Sequence, residues 1–171
     1  YPETMAVGEV NTRPPETAAS VIGSGDDALH LAFDFEYGAC DWDPAQFQAA
    51  ILRWERALPP GGWPTYVLSN HDQPRHYSRY GRGRHSDPRA KVAAGMLATL
   101  RGTPFLYNGE EIGMRDYLLD DIADFRDLMG MWHYHLQRQY FEKSPEDALQ
   151  TAAKIGRDKC RTPMQWENAP H

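Results

Sequence analysis

Four short apolar runs recur along the chain, each leading into an acid, and the steps between those acids of 27, 36 and 38 residues are close to the length of one strand–helix repeat. Residues 4–10 carry Glu9 near their end, 29–37 carry Asp34 and Glu36, 63–68 lead into a polar loop holding Asp72, and 105–111 close on Glu110 and Glu111. Short runs rich in β-branched and aromatic residues read as buried strands. In the second run the alternation puts Asp34 and Glu36 on one face and Phe33 and Phe35 on the other. Strands separated by helices, with right-handed crossovers, build a parallel sheet. An open doubly wound sheet satisfies that pattern too. Acid-tipped strands in a row favour a barrel, because function gathers at the C-terminal rim of (β/α)8 folds.

The segments between the strands carry helix signals. A short helix fits residues 15–22. Asp43-Pro44 and Asp87-Pro88 each set a capping carboxylate before a proline at the first helical position. Behind Asp43, the residues Phe47, Ala50, Ile51, Trp54 and Leu58 recur at helical spacing. Behind Asp87, Val92, Met96 and Leu100 do the same, with Ala93 and Leu97. After Gly113 the strand pattern stops. The spacing of Ile122, Phe125, Leu128, Met129, Trp132 and Leu136 predicts a helix over 118–141, and Ser144-Pro145 caps a shorter one through Ala153. Residues 156–166 read as a loop.

With 41% hydrophobic and 25% charged residues, the 171-residue chain can bury a core of ordinary domain size. A net charge of -6 without a basic stripe argues against nucleic acid as a partner. No stretch approaches the roughly 18 apolar residues of a membrane span. Cys40 and Cys160 offer neither a disulfide framework nor metal-ligand spacing, so a reduced, cytoplasmic setting is expected. His133 and His135 would point to opposite sides of a helix and cannot chelate one ion together, and no metal site is expected. The chain opens at Tyr1 without an initiator Met and closes at His171 without a cap, which predicts an internal piece of a longer protein. Its outer strands would then be open edges that favour self-association.

The most specific string is Val67-Leu68-Ser69-Asn70-His71-Asp72-Gln73-Pro74-Arg75. It resembles the fourth signature region of glycoside hydrolase family 13, the α-amylase superfamily, in the form found in its α-glucosidase and oligo-1,6-glucosidase branch. Met5-Ala6-Val7-Gly8-Glu9 resembles the third signature region. Residues 102–114 are similar to the eighth barrel strand of that branch. Arg161-Thr162-Pro163-Met164-Gln165-Trp166 is similar to a signature just after the barrel. Together these imply that residues 1–155 are the C-terminal half of a (β/α)8 TIM barrel, with four parallel strands. Residues 156–171 would be a post-barrel segment leading towards a C-terminal β-domain outside this chain.

The resemblance assigns roles residue by residue. Glu9 matches the general acid/base, and burial beside other carboxylates would raise its pKa as that task requires. Asp72 matches the acid that grips sugar hydroxyls next to the reacting carbon, a contact that strengthens as positive charge builds on the ring. His71 and Arg75 would contact the same sugar. Of Arg157 and Arg161, one would hold the outermost hydroxyl, with Arg157 favoured. Glu110 and Glu111 read as structural. The family's nucleophilic Asp lies upstream of the first residue here, and no acid in this chain matches its motif.

The implied activity is that of a retaining α-glucosidase releasing glucose from the non-reducing end of oligosaccharides. The 171 residues alone are expected to be inactive. No cofactor is implied, and calcium, where family members bind it, would also sit outside this chain. The alternatives are a glucosyl-transferring relative, such as a sucrose isomerase or a trehalose-6-phosphate hydrolase, and a catalytically silent family-13-like interaction domain. On the enzymatic readings, Glu9 and Asp72 converge on one mouth of the sheet.

Overall fold

The computed structural model describes residues 4–10, 14–23, 27–81 and 83–167. In chain order its elements are β1 (Val7–Gly8), α1 (Pro15–Ala19), β2 (Leu31–Ala32), α2 (Phe35–Ala39), α3 (Pro44–Ala57) and β3 (Thr65–Val67). There follow α4 (His76–Tyr80), α5 (Ser86–Thr99), β4 (Thr103–Phe105), α6 (Leu128–Gln139) and α7 (Pro145–Ile155). They form two compact units, Tyr1–Leu68 with Arg82–Tyr107, and Ser69–Gly81 with Asn108–His171.

The first unit holds the sheet. β1 pairs in parallel with β2, Val7 opposite Leu31 and Gly8 opposite Ala32. β3 pairs in parallel with β4, from Thr65 opposite Thr103 to Val67 opposite Phe105. A parallel bridge between Asp34 and Tyr66 links the two pairs, and the Asp34 N–H donates to the Thr65 carbonyl at 3.1 Å. The order β1–β2–β3–β4 follows the chain without reversal, whereas a doubly wound sheet reverses at its switch point. This is an arc of a (β/α)8 barrel.

β2 is shorter than the alternation predicts. Asp34 Oδ1 accepts the N–H of Glu36 at 2.9 Å and of Tyr37 at 3.1 Å. That local cap outcompetes the ladder, and the chain turns into α2 instead of running on to residue 37. Glu36 therefore rides a helix, where it pairs with Arg53 at 2.8 Å. Gly38 allows the close approach, since a Cβ there would stand 2.8 Å from the Val67 carbonyl oxygen. Tyr37 packs its ring on Tyr66 at 5.0 Å and on Phe47 of α3 at 5.5 Å.

α3 forms as predicted. Asp43 Oδ1 accepts the Ala45 N–H at 2.9 Å, Pro44 opens the helix, and Phe47, Ala50 and Trp54 are buried. α5 starts at Ser86, ahead of the predicted Asp87 cap, and His85 makes no side-chain cap there. Its buried face is Ala90, Ala93 and Leu97, while Val92 is exposed, so the helix is rotated from the predicted stripe. β4 also begins early. Gly102, at φ 138, turns the chain where a Cβ would lie 2.7 Å from the Pro64 carbonyl oxygen, and the strand stops at Phe105. Glu110 then sits on a 3-10 turn entered through Gly109 at φ 93.

In the second unit α6 and α7 pack on each other, with Phe125, Ala152 and Ala153 buried at the centre. The helix predicted over 118–141 is broken. A 3-10 turn spans Ile122–Asp124, and Asp127 then caps α6 afresh by accepting the Met129 N–H. Ser144 Oγ accepts the Asp147 N–H at 3.1 Å and Pro145 opens α7, as the sequence predicts. Residues 156–167 group with α6 and α7 in the second unit. Among the described residues, no helix is long and apolar enough to cross a membrane.

Candidate functional site

The loop after β3 folds on its own side chains. Asn70 Oδ1 accepts the Asp72 N–H at 2.8 Å, an amide oxygen standing in for a backbone carbonyl as such turns require. An antiparallel bridge between Asn70 and Gln73 closes the loop. His71, Asp72 and Gln73 are left exposed at its tip. Below the tip, buried Ser69 accepts the His76 N–H at 2.8 Å.

Two arginines four residues apart reach this tip from either side of the 3-10 turn Asp158–Cys160. Arg157 Nη1 donates to Asp72 Oδ1 at 2.9 Å and Arg161 Nη2 to the same oxygen at 2.7 Å. Arg161 Nε also donates to the His71 carbonyl at 2.7 Å. His71 Nε2 lies 3.7 Å from Asp72 Oδ1. Burial pushes the Asp72 carboxyl up, but the bonds from Arg161 and Arg157 outweigh it and hold the group below its ordinary range. Asp72 is therefore an ionised carboxylate near neutral pH. Among the described residues, nothing bonds its Oδ2. One oxygen is anchored and the other is open, an arrangement able to accept a hydroxyl proton from a ligand.

Arg157 is itself held from behind. Its Nη2 donates to Asp127 Oδ1 at 2.8 Å, its Nε to Oδ2 at 3.2 Å, and its backbone N–H to Oδ2 at 2.8 Å. The Asp127 side chain is only 2% exposed. The Arg157 bonds, foremost among the causes, lower its pKa to about 2. Asp158 adds a further anchor by accepting the backbone N–H of Arg126 and Asp127. Asp127 is a residue of this charge cluster that the sequence reading did not single out. The available signal was an Asp directly before an apolar helical run, which is a helix-start pattern.

Arg75 departs from its expected sugar-binding role. It is 1% exposed. Its Nη1 donates to the Asn108 carbonyl at 2.8 Å and its Nη2 to the Cys160 carbonyl at 3.2 Å, while its N–H donates to Asp116 Oδ1 at 2.8 Å. Buried and bonded to two backbone carbonyls on distant segments, Arg75 braces the loop. Glu110 is buried, with Oε1 2.9 Å from His76 Nδ1. Glu111 accepts the Gly109 N–H at 2.9 Å.

In the first unit Glu9 directly follows β1 and is exposed, where burial was expected. The perturbed acid there is Asp34, whose pKa burial raises to about 7 against the two cap bonds. A cavity of about 630 Å³ runs past Phe33, Asp34, Phe35 and Trp54. It has ligand size, yet Asp34 Oδ2 and Trp54 Nε1 are sealed from solvent and make no hydrogen bond among the described residues. Those two atoms are therefore not offered to a ligand in it. Among the described residues no group of three or more His, Cys, Asp or Glu side chains could hold a metal ion.

Comparison with known proteins finds relatives along nearly the whole chain. The family model "Alpha amylase, catalytic domain" matches residues 1–171. A probable oligo-1,6-glucosidase 2 of Bacillus subtilis (strain 168) is 33% identical over 97% of this chain and 32% of its own length. The oligo-1,6-glucosidase of Parageobacillus thermoglucosidasius is 31% identical over 98% and 32%. Among solved structures, the trehalose-6-phosphate hydrolase of Bacillus licheniformis superposes with a TM-score of 0.80 at 29% identity, over 95% of this chain and 32% of that one. A mutant isomaltulose synthase of Erwinia rhapontici NX5, solved with its natural substrate sucrose, gives 0.79 at 28% identity over the same shares, 95% and 32%. The chain thus spans about a third of the length of the relatives it matches.

Proposed function

Because this chain belongs to the alpha-amylase catalytic-domain family, we propose that it supplies the general acid/base and the sugar-gripping carboxylate of a retaining α-glucosidase. The observation that carries the reading is the half-anchored Asp72, with Oδ1 fixed by two arginines and Oδ2 open. A carboxylate held this way cannot swing off, and it stays charged while it accepts a hydroxyl of the bound glucose. As the ring gains positive charge in the transition state, that bond shortens and strengthens, which accelerates reaction instead of merely tightening binding.

Glu9 gives its proton to the glycosidic oxygen as the bond to the anomeric carbon breaks. A carboxylate from outside these residues attacks that carbon from the opposite face and forms a glycosyl ester. Glu9, now ionised, takes a proton from water, whose oxygen displaces the ester with net retention. Retention requires the two carboxyl groups about 5–5.5 Å apart in the assembled enzyme. His71 and whichever face of Arg157 or Arg161 remains open orient the sugar.

The test uses the full-length protein. Turnover of maltose, isomaltose and sucrose is followed by NMR of the released anomer. We expect the α-anomer first, and loss of at least about a thousandfold in turnover with Glu9→Gln, since the acid step alone supplies about 10²–10⁴-fold and here serves both half-reactions. Release of the β-anomer would overturn retention, and full activity in Glu9→Gln would overturn the assignment of Glu9. The isomaltulose synthase likeness supports one further reading, glucosyl transfer instead of hydrolysis. Rearrangement of sucrose without net glucose release would favour it.

A further inference from the structure

We propose that Asp127 is a positioning residue that keeps Arg157 from closing on Asp72, so that Asp72 Oδ2 stays open to the sugar. The inference rests on the α-glucosidase reading, because it gives Asp127 a task within that site.

A guanidinium can grip a carboxylate side-on through either of two edges, Nε with one terminal nitrogen or the two terminal nitrogens together. In Arg157 the first edge is taken, with Nη2 at 2.8 Å from Asp127 Oδ1 and Nε at 3.2 Å from Oδ2. Asp127 cannot follow a moving arginine. Its own N–H is tied to Asp158, its Oδ1 accepts from Met129 at the start of α6, and its Oδ2 accepts the Arg157 backbone N–H. That leaves Nη1 alone for Asp72, and it lands on Oδ1. Arg161 is restrained in the same sense, since its Nε is committed to the His71 carbonyl and its Nη2 reaches Oδ1 as well.

Two arginines therefore neutralise one oxygen and spare the other. Without Asp127, Arg157 would be free to meet Asp72 through a whole edge and make two parallel bonds, the geometry this pair of groups favours. A sugar hydroxyl would then have to displace a charge-assisted bond before it could reach Oδ2. Asp127 thus acts on substrate only through Arg157, and the two residues should behave as one unit.

The experiment is a double-mutant cycle in the full-length protein, reading kcat and KM on p-nitrophenyl α-glucoside for Asp127→Asn, Arg157→Ala and the pair. Asn keeps the shape and an acceptor for backbone N–H groups but loses the charge that holds the guanidinium. Asp127→Asn should lower kcat/KM by roughly 10- to 100-fold, the scale of a misplaced reacting group, with more of the loss in kcat than in KM. The double variant should match Arg157→Ala alone within about threefold. Losses that multiply overturn the proposal, because they mean that Asp127 works independently of Arg157. If Asp127→Asn does not fold, Asp127→Glu carries the test. It keeps the charge and shifts the guanidinium by a methylene, so a loss of roughly tenfold or more in kcat/KM supports positioning, and wild-type kcat/KM overturns it. A wild-type protein that turns over no α-glucoside removes the α-glucosidase reading and this proposal with it. Multiplying losses in an active wild type remove this proposal alone.

Discussion

Asp34 in the first unit and Asp127 in the second begin from the same circumstances and end as opposites. Both are buried, and both cap a helix by accepting backbone N–H groups, Asp34 for α2 and Asp127 for α6. Yet burial drives Asp34 up to about 7, whereas Asp127 is held down at about 2. The guanidinium of Arg157 is the main difference, and Asp34 is also the more deeply buried of the two. Two amide donors at Asp34 offset only part of the cost of removing a carboxylate from water, while Arg157 brings a full positive charge and an aligned pair of donors. Asp34 is thus an acid able to hold a proton near neutrality, and Asp127 a fixed anion. Only the fixed anion can orient an arginine at all pH values where a glucosidase would work.

The largest way to break that contrast is to remove the anion. Asp127→Ala leaves Arg157 without its main partner and takes the cap from α6, and should cost about 2–4 kcal/mol, the scale of a lost cap plus hydrogen bonds to a charged group. Denaturant unfolding at neutral pH checks it. The loss should shrink on acidification, because the native pKa of Asp127 is depressed. Its contribution is complete above the unfolded value of 3.8 and disappears as pH falls through about 2. Arg157→Ala asks whether the guanidinium alone separates the two acids. With it gone, the pKa of the Asp127 carboxyl should rise from about 2 towards 3.8, which carboxyl-carbon NMR can follow. The stability cost should be smaller than that of Asp127→Ala, because the Arg157 side chain is one-third exposed and already partly solvated.

What the sequence disclosed, and what it hid, follows the same division between short-range and long-range causes. The parallel repeat was legible because it rests on spacing and hydrophobicity, which are properties of the chain read in order. The capped starts of α3 and α7 were legible because Asp43-Pro44 and Ser144-Pro145 act within one turn. The end of β2 was equally local, but two local rules competed. Alternation pointed to strand through residue 37, and the Asp34 cap prevailed. Asp72 could be singled out from its string. That its Oδ1 is tied down by residues 85 and 89 positions away could not. Nor could the burial of Arg75, whose partners Asn108 and Cys160 lie on distant segments. A cluster of charges assembled from three separate stretches leaves no period for a reader of one strand or one helix to find.

Smaller perturbations in the first unit sharpen the contrast from its other side. Asp34→Asn keeps the Oδ1 cap and removes the charge that burial penalises. The native pKa of Asp34 is raised, so its contribution to stability is complete below 3.8 and is lost as pH rises through about 7. The variant should therefore be more stable than the parent by about 2 kcal/mol at pH 8, half or less of what a shift of that size implies before relaxation. The advantage should vanish as pH approaches 4.

The finest test is Tyr66→Phe. The Tyr66 hydroxyl is buried and makes no hydrogen bond among the described residues. Burial, with the charges of Glu55 and Asp34, pushes its pKa up. Removing a hydroxyl that bonds to nothing should be neutral, or stabilising by up to about 1 kcal/mol. A loss of that size instead would mean that the hydroxyl is engaged, with an ordered water joining it to Asp34 Oδ2. Asp34 would then have a polar partner after all, and its distance from Asp127 would be one of degree, set by the strength of the donor and not by its presence.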